Sequence, residues 1–340
     1  MSTKINELAG ILLICLVSFL TIKCEKDSLT PVQTTTPIAV TASSERLIPP
    51  SVRYLYIGRT DTVYNNPAGI KTLTHYVKKY GFTGVYMYTT QPILASSANY
   101  ATFGNFLKQL TDSGVVVKAV ISGINSASYF AVNGPVDMYN KSQTDLAKKI
   151  NRSNLELEWW NADCDWPTWN TVNQSIAAGV IPDNDFYEGW YKNLGTTVDT
   201  IASKDQVRYS DRILMHCYQT TVPTYSYANN ASTGTTCGRL DCIAKGARQE
   251  YKRTNILKKV DLYIMISAQN TAWGSTNTYQ GPILQQAYLA GQKNPFAYIE
   301  SQAYSNIYGS MTTFQKQWIN FKGFVWFEKR YCYAAVPPSK

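Results

Sequence analysis

The sequence predicts an α/β chain folded as a single (β/α)8 TIM-type barrel behind an N-terminal signal and tether. Three observations carry that expectation. Apolar strand-like runs alternate with helical patterns eight times from Val52 onward, the order that parallel βα units produce. The alternation fills residues 52–336, close to the length of about 250 residues usual for an eightfold barrel. Helical patterns also end on glycine just before a strand, at Gly81 and Gly114, where a left-handed C-cap is expected.

In chain order the expected strands are Arg53–Ile57, Thr83–Tyr88, Val115–Ser122, Leu155–Trp160, Arg212–Tyr218, Leu262–Ser267, Phe296–Glu300 and Phe324–Glu328. Ile70–Tyr80, Phe103–Ser113 and Asn140–Ile150 read as helices between them. Ahead of the barrel, Lys4 and the apolar run Leu8–Ile22 have the layout of an export signal over residues 1–23. The run is shorter than the roughly 20 residues a membrane span needs. Cys24 follows it, and residues 24–51 are rich in Thr, Pro and Ser, a composition that cannot bury a core and reads as a tether.

At 340 residues, 44% hydrophobic and 16% charged, the chain has the composition of a globular protein. Its excess is aromatic, with 25 Tyr, 11 Phe and 8 Trp. The formal charge of +9 raises the question of nucleic acid. The cations are dispersed, however, with Lys78-Lys79, Lys148-Lys149 and Lys258-Lys259 near expected helix ends, and no nucleic-acid motif is present. Two histidines, His75 and His216, are too few for a histidine-rich metal site, and no Gly-rich phosphate loop occurs. No cofactor and no metal are expected. Cys237 and Cys242 are close enough for a small loop disulfide in an oxidising compartment.

What remains is carboxylate chemistry among aromatic walls. In Asn154-Leu155-Glu156-Leu157-Glu158-Trp159-Trp160, period-2 alternation puts Glu156, Glu158 and Trp160 on one face of a strand. Buried carboxylates are costly unless paired or working. The polar loop that follows carries Asp163, Trp166 and Trp169. Barrel sites lie at the C-terminal strand ends, which adds Asp61, Ser122, His216, Gln269, Glu300 and Glu328. Glu328 beside Lys329 and Arg330 reads equally as a simple ion pair.

Two stretches resemble known sequences. Cys24-Glu25-Lys26-Asp27 after the apolar run is similar to a bacterial lipoprotein start of the Bacteroidetes kind, which implies lipidation of Cys24 and a place in the cell envelope on the outer membrane. Lys118-Ala119-Val120-Ile121-Ser122-Gly123, the Leu/Glu strand with its Trp, and Asp261-Leu262-Tyr263-Ile264-Met265 resemble glycoside hydrolase family 18, the chitinases and endo-β-N-acetylglucosaminidases. That resemblance implies a glycan partner of GlcNAc type, with outer-membrane glycan-uptake proteins as neighbours. In one register Trp160 stands at the general-acid position, giving a glycan-binding barrel with weak or absent hydrolysis. In the other, Glu158 is the acid and Glu156 assists. A third arrangement pairs Glu158 with Glu300 as in retaining barrel glycosidases. Substrate contacts would fall to Trp160, Trp166, Trp169, Asp163, Ser122, Gln269 and Trp326. A scaffold that binds a partner and no sugar is the remaining reading.

Overall fold

The computed structural model describes residues 49–122, 127–130, 132–156, 184–187, 212–230, 238–269 and 281–338. All lie within the unit Glu45–Lys340. Eight parallel strands form a closed ring in sequence order: β1 Val52–Ile57, β2 Gly84–Met87, β3 Val117–Ser122, β4 Arg152–Glu156, β5 Asn184–Tyr187, β6 Arg212–His216, β7 Val260–Ser267 and β8 Ile319–Phe327. β1 closes the ring on β8, with Tyr54 opposite Val325 and Leu55 opposite Trp326. The α/β class and the barrel curvature of the parallel sheet are thus as expected.

Seven of the expected strands overlap observed ones, and one does not. Phe296–Glu300 is the start of a helix, Pro295–Tyr308. Asn294 caps it by accepting from the Ala297 N–H, and Pro295 stands at its first position. That pair of signals favours a helix start over a strand. The eighth strand is instead β5, four residues too short and polar (Asn-Asp-Phe-Tyr) to stand out in the sequence. Asn140–Ile150 is likewise no single helix: Pro135–Ser142 is helical, and Leu146–Lys148 forms a separate single turn. The helix Pro67–Tyr80 ends as read, with Gly81 at φ 68° supplying the left-handed cap.

Alternation along each strand sorts the buried residues into two sets. Val52, Tyr54, Tyr56, Tyr86, Val117, Ala119, Ile121, Leu214, Tyr263, Met265, Val325 and Phe327 pack together inside the ring. Leu55, Ile57, Val85, Val120, Ile213, Ile264, Phe324 and Trp326 face the helices and join their apolar sides. The inner filling is aromatic at depth: the Tyr54 ring lies 5.2 Å from Tyr263 and 5.5 Å from Tyr86. Arg152 reaches in from β4 and donates from Nη1 to the Tyr54 hydroxyl at 3.2 Å. The lumen is therefore a packed core at this level and not a channel.

Candidate functional site

At the C-terminal rim the filling changes. His216 at the end of β6 stacks on Tyr218 with centroids 4.4 Å apart, and Tyr218 lies 5.8 Å from Phe327 at the end of β8. Phe327 meets Tyr56 of β1 at 4.7 Å, and Tyr56 stacks on Tyr88, just past β2, at 6.4 Å. These rings form an arc across four strand ends. Its outermost member, Tyr88, is 37% exposed. Deeper inward-facing tyrosines are nearly sealed: Tyr86 is 0% and Tyr54 3% exposed. Offset and tilted ring pairs of this kind offer apolar faces of defined orientation.

Polar groups stand around the arc. Glu328 follows Phe327, is 5% exposed, and packs against Gly58 at the end of β1. A Cβ on Gly58 would lie 2.7 Å from both Cδ and Oε1 of Glu328, so glycine is what admits the carboxyl here. Burial pushes the Glu328 carboxyl above its ordinary range, against the opposing pull of Arg330, whose Nε lies 2.8 Å from Oε2. Asp61 behaves oppositely. Arg59 grips both its oxygens at 2.9 and 2.8 Å, Thr89 Oγ1 donates at 2.8 Å, and its carboxyl is held down at about 2. Burial first, and then the charge of Arg239, push the His216 imidazole well below its usual range, so it stands neutral. The rim therefore combines an ionised carboxylate, a carboxyl displaced toward its protonated form and a neutral imidazole.

The sequence-derived candidates divide sharply. Glu158, Trp160, Asp163, Trp166, Trp169 and Cys24 lie outside the described residues. The backbone of Glu156 ends β4 and so reaches the C-terminal rim. Gln269 is also brought there, folded back on Ser267, whose Oγ donates to Gln269 Oε1 at 3.3 Å. Ser122 is not presented to the mouth: it follows inward Ile121 and takes the helix-facing side of β3, fully buried. Trp326 is corrected in the same way, because it alternates with inward Val325 and Phe327 and packs edge-on against Phe296, 5.0 Å away, outside the ring.

Glu300 is the largest correction. It sits on a helix beside Arg53, the second residue of β1, and thus near the opposite end of the barrel from the mouth. Arg53 Nε donates to Oε1 at 2.5 Å, Arg53 Nη2 to Oε2, and Trp326 Nε1 to Oε1 at 2.7 Å. A carboxylate so enclosed is structural, and it cannot serve as a nucleophile paired with a group at the mouth. Lys118 also has a structural task. It points outward from β3, donates to Thr111 Oγ1 at 2.9 Å and to the Ala147 carbonyl at 2.6 Å, and burial lowers it to about 8. Tyr227 donates to the Tyr218 carbonyl at 2.8 Å, and so braces the arc. Cys242 is disulfide-bonded, while Cys217 and Cys332 are buried. Among the described residues no three His, Cys, Asp or Glu side chains gather as a metal site.

The arc itself escaped the sequence reading. Its signal was the period-2 recurrence of aromatics, Tyr54 and Tyr56, Tyr86 and Tyr88, at successive strand ends. Strand propensity alone explains such residues, so nothing in the spacing marked them out.

No family model matches the chain, and no curated protein matches it. Among solved structures an aldo-keto reductase of the silkworm Bombyx mori is similar, at 10% identity and a TM-score of 0.37, over 84% of this chain and 78% of that one. The expected resemblance to glycoside hydrolase family 18 is corrected: no family model supports it. The expected glycan-binding function and its chitinase-type alternative fall with that resemblance. The likeness to the reductase is too slight for its chemistry to transfer to this chain.

Proposed function

We propose that this chain is a small-molecule-binding barrel whose site is the C-terminal mouth. The aromatic arc receives the flat apolar face of an organic ligand, and Glu328 is its protonatable partner. One observation carries the reading: a nearly buried carboxyl, raised by that burial, follows directly on the Phe327–Tyr56–Tyr88 arc. A perturbed carboxyl in an aromatic setting at the C-terminal strand ends of a barrel supports a site there. Protonated, Glu328 donates a hydrogen bond to a neutral acceptor. Ionised, it accepts one or holds a cation.

Saturation-transfer NMR with indole and benzamide as probes tests this. Both are flat, and both carry an N–H. Expected are signals that fade in Tyr88→Ala and Phe327→Ala, with Glu328→Gln removing the pH dependence of benzamide binding while leaving indole binding in place. Binding that ignores both aromatic substitutions would overturn the proposal, as would no binding at all.

A further inference from the structure

The three Lys-Lys pairs, scattered through the sequence, come to one end of the molecule. Lys78-Lys79 closes the helix before β2, Lys148-Lys149 precedes β4, and Lys258-Lys259 precedes β7. In a parallel barrel each of those turns lies at the N-terminal rim, opposite the mouth. The same rim carries the most exposed apolar side chains. Val116, Leu146, Ile256, Leu257 and Leu289 are 64–78% exposed, whereas no other large apolar side chain among the described residues exceeds 54%. Val116 precedes β3, Leu146 precedes β4, and Ile256-Leu257 precedes β7. Leu289 ends the helix Gly281–Leu289, and Asn294 just after it donates to the carbonyl of Tyr80, beside Lys78-Lys79. The pairs Lys148-Lys149 and Lys258-Lys259 thus each have an exposed aliphatic residue within three positions in the chain.

Three acids at this rim have described partners. Asp112 holds Lys108 at 2.7 Å, Asp145 caps the Ala147 N–H at 2.9 Å, and Asp261 accepts from Asn320 at 2.8 Å. Pro49 and Pro50 lead into β1 at this rim.

We propose that the N-terminal rim is a membrane-docking face for an anionic lipid surface, which turns the mouth away from the bilayer. Lysines beside protruding aliphatic residues fit a bilayer interface: the ammonium groups meet lipid phosphates, and the short apolar tips enter the headgroup boundary. A second copy of this face would be repelled by its own six paired lysines. A nucleic-acid surface leaves the exposed leucines and isoleucine without purpose. The inference does not depend on the ligand proposed for the mouth.

The test is amide hydrogen exchange on the full chain reconstituted in phosphatidylglycerol–phosphatidylcholine vesicles and in phosphatidylcholine alone. Expected is slowing at 113–116, 144–150 and 255–259 in the anionic vesicles only, reversed by salt. Combining Lys148→Ser, Lys149→Ser, Lys258→Ser and Lys259→Ser is expected to weaken docking by about fivefold per lysine, several hundredfold in all. Leu146→Ser with Leu257→Ser provides a second, independent loss should the lysine variant fold poorly. Equal exchange in both vesicles overturns the proposal. So does protection of these segments by single-stranded DNA, or by self-association without lipid, in the absence of a vesicle effect.

Discussion

Two carboxylates, Glu300 and Glu328, are almost equally buried, at 2% and 5% exposure, and each meets an arginine. Their surroundings differ in completeness. Glu300 is held through both oxygens by Arg53, whose side chain is 8% exposed, and receives a third bond from Trp326. Glu328 receives the edge of Arg330, whose side chain is 62% exposed. The first arrangement returns to the carboxylate the hydrogen bonds that water would have given it. The second leaves desolvation ahead of compensation, and the carboxyl rises. Burial by itself thus says little about which acid is free to work. The donor set decides: it satisfies Glu300 and leaves Glu328 raised.

The strongest way to break this contrast is Arg53→Ala. It leaves a buried carboxylate without its guanidinium and is expected to cost about 3–5 kcal/mol, measured as a fall in the urea midpoint at unchanged slope. A loss below about 1 kcal/mol would mean that Glu300 is less enclosed than its contacts imply. Next is Trp326→Phe, which keeps the ring against Phe296 but removes one N–H from a charged oxygen. The expected cost is about 1.5–3 kcal/mol.

The smallest effect belongs to Glu328→Gln. Because the folded state raises this carboxyl, the folded protein holds the proton over a window in which the unfolded chain has lost it. Its contribution to stability is full below the unfolded value and is lost as pH rises through the folded one. The native protein is expected to lose stability across that window, starting near pH 4.5, by a fraction of about 1.4 kcal/mol per pH unit. Denaturant titrations across the window should find that this component of the slope has vanished in the Gln variant. A slope of opposite sign, or one that survives the substitution, would mean that burial does not raise Glu328.

Much of this architecture was legible in the chain. Glycine stops, Val/Ile/Tyr-rich runs and their spacing gave the parallel barrel, because each reports a local preference that packing reinforces. β5 was not legible: Asn184–Tyr187 pairs with β4 and β6 because the ring must close there, and local propensity contributes little. The helix Pro295–Tyr308 hid behind a short apolar run that fits period 2 as readily as period 3.6. At the site, Glu300 looked available because its partner Arg53 lies 247 residues away in sequence. Glu328 does meet Arg330, its neighbour in the chain, and what the sequence could not show is that burial outweighs that pair.

By itself the sequence determined the fold class, the approximate places of seven strands, and a large aromatic stock. Only the tertiary structure decided which side of each strand faces inward, which acid is enclosed, and which lysines stand together. The reason is geometric. A parallel barrel sends every strand end to one rim and every helix-to-strand turn to the other. Residues dispersed along the chain are thereby gathered, Tyr56 with Phe327 at the mouth and Asn294 with Tyr80 at the other rim.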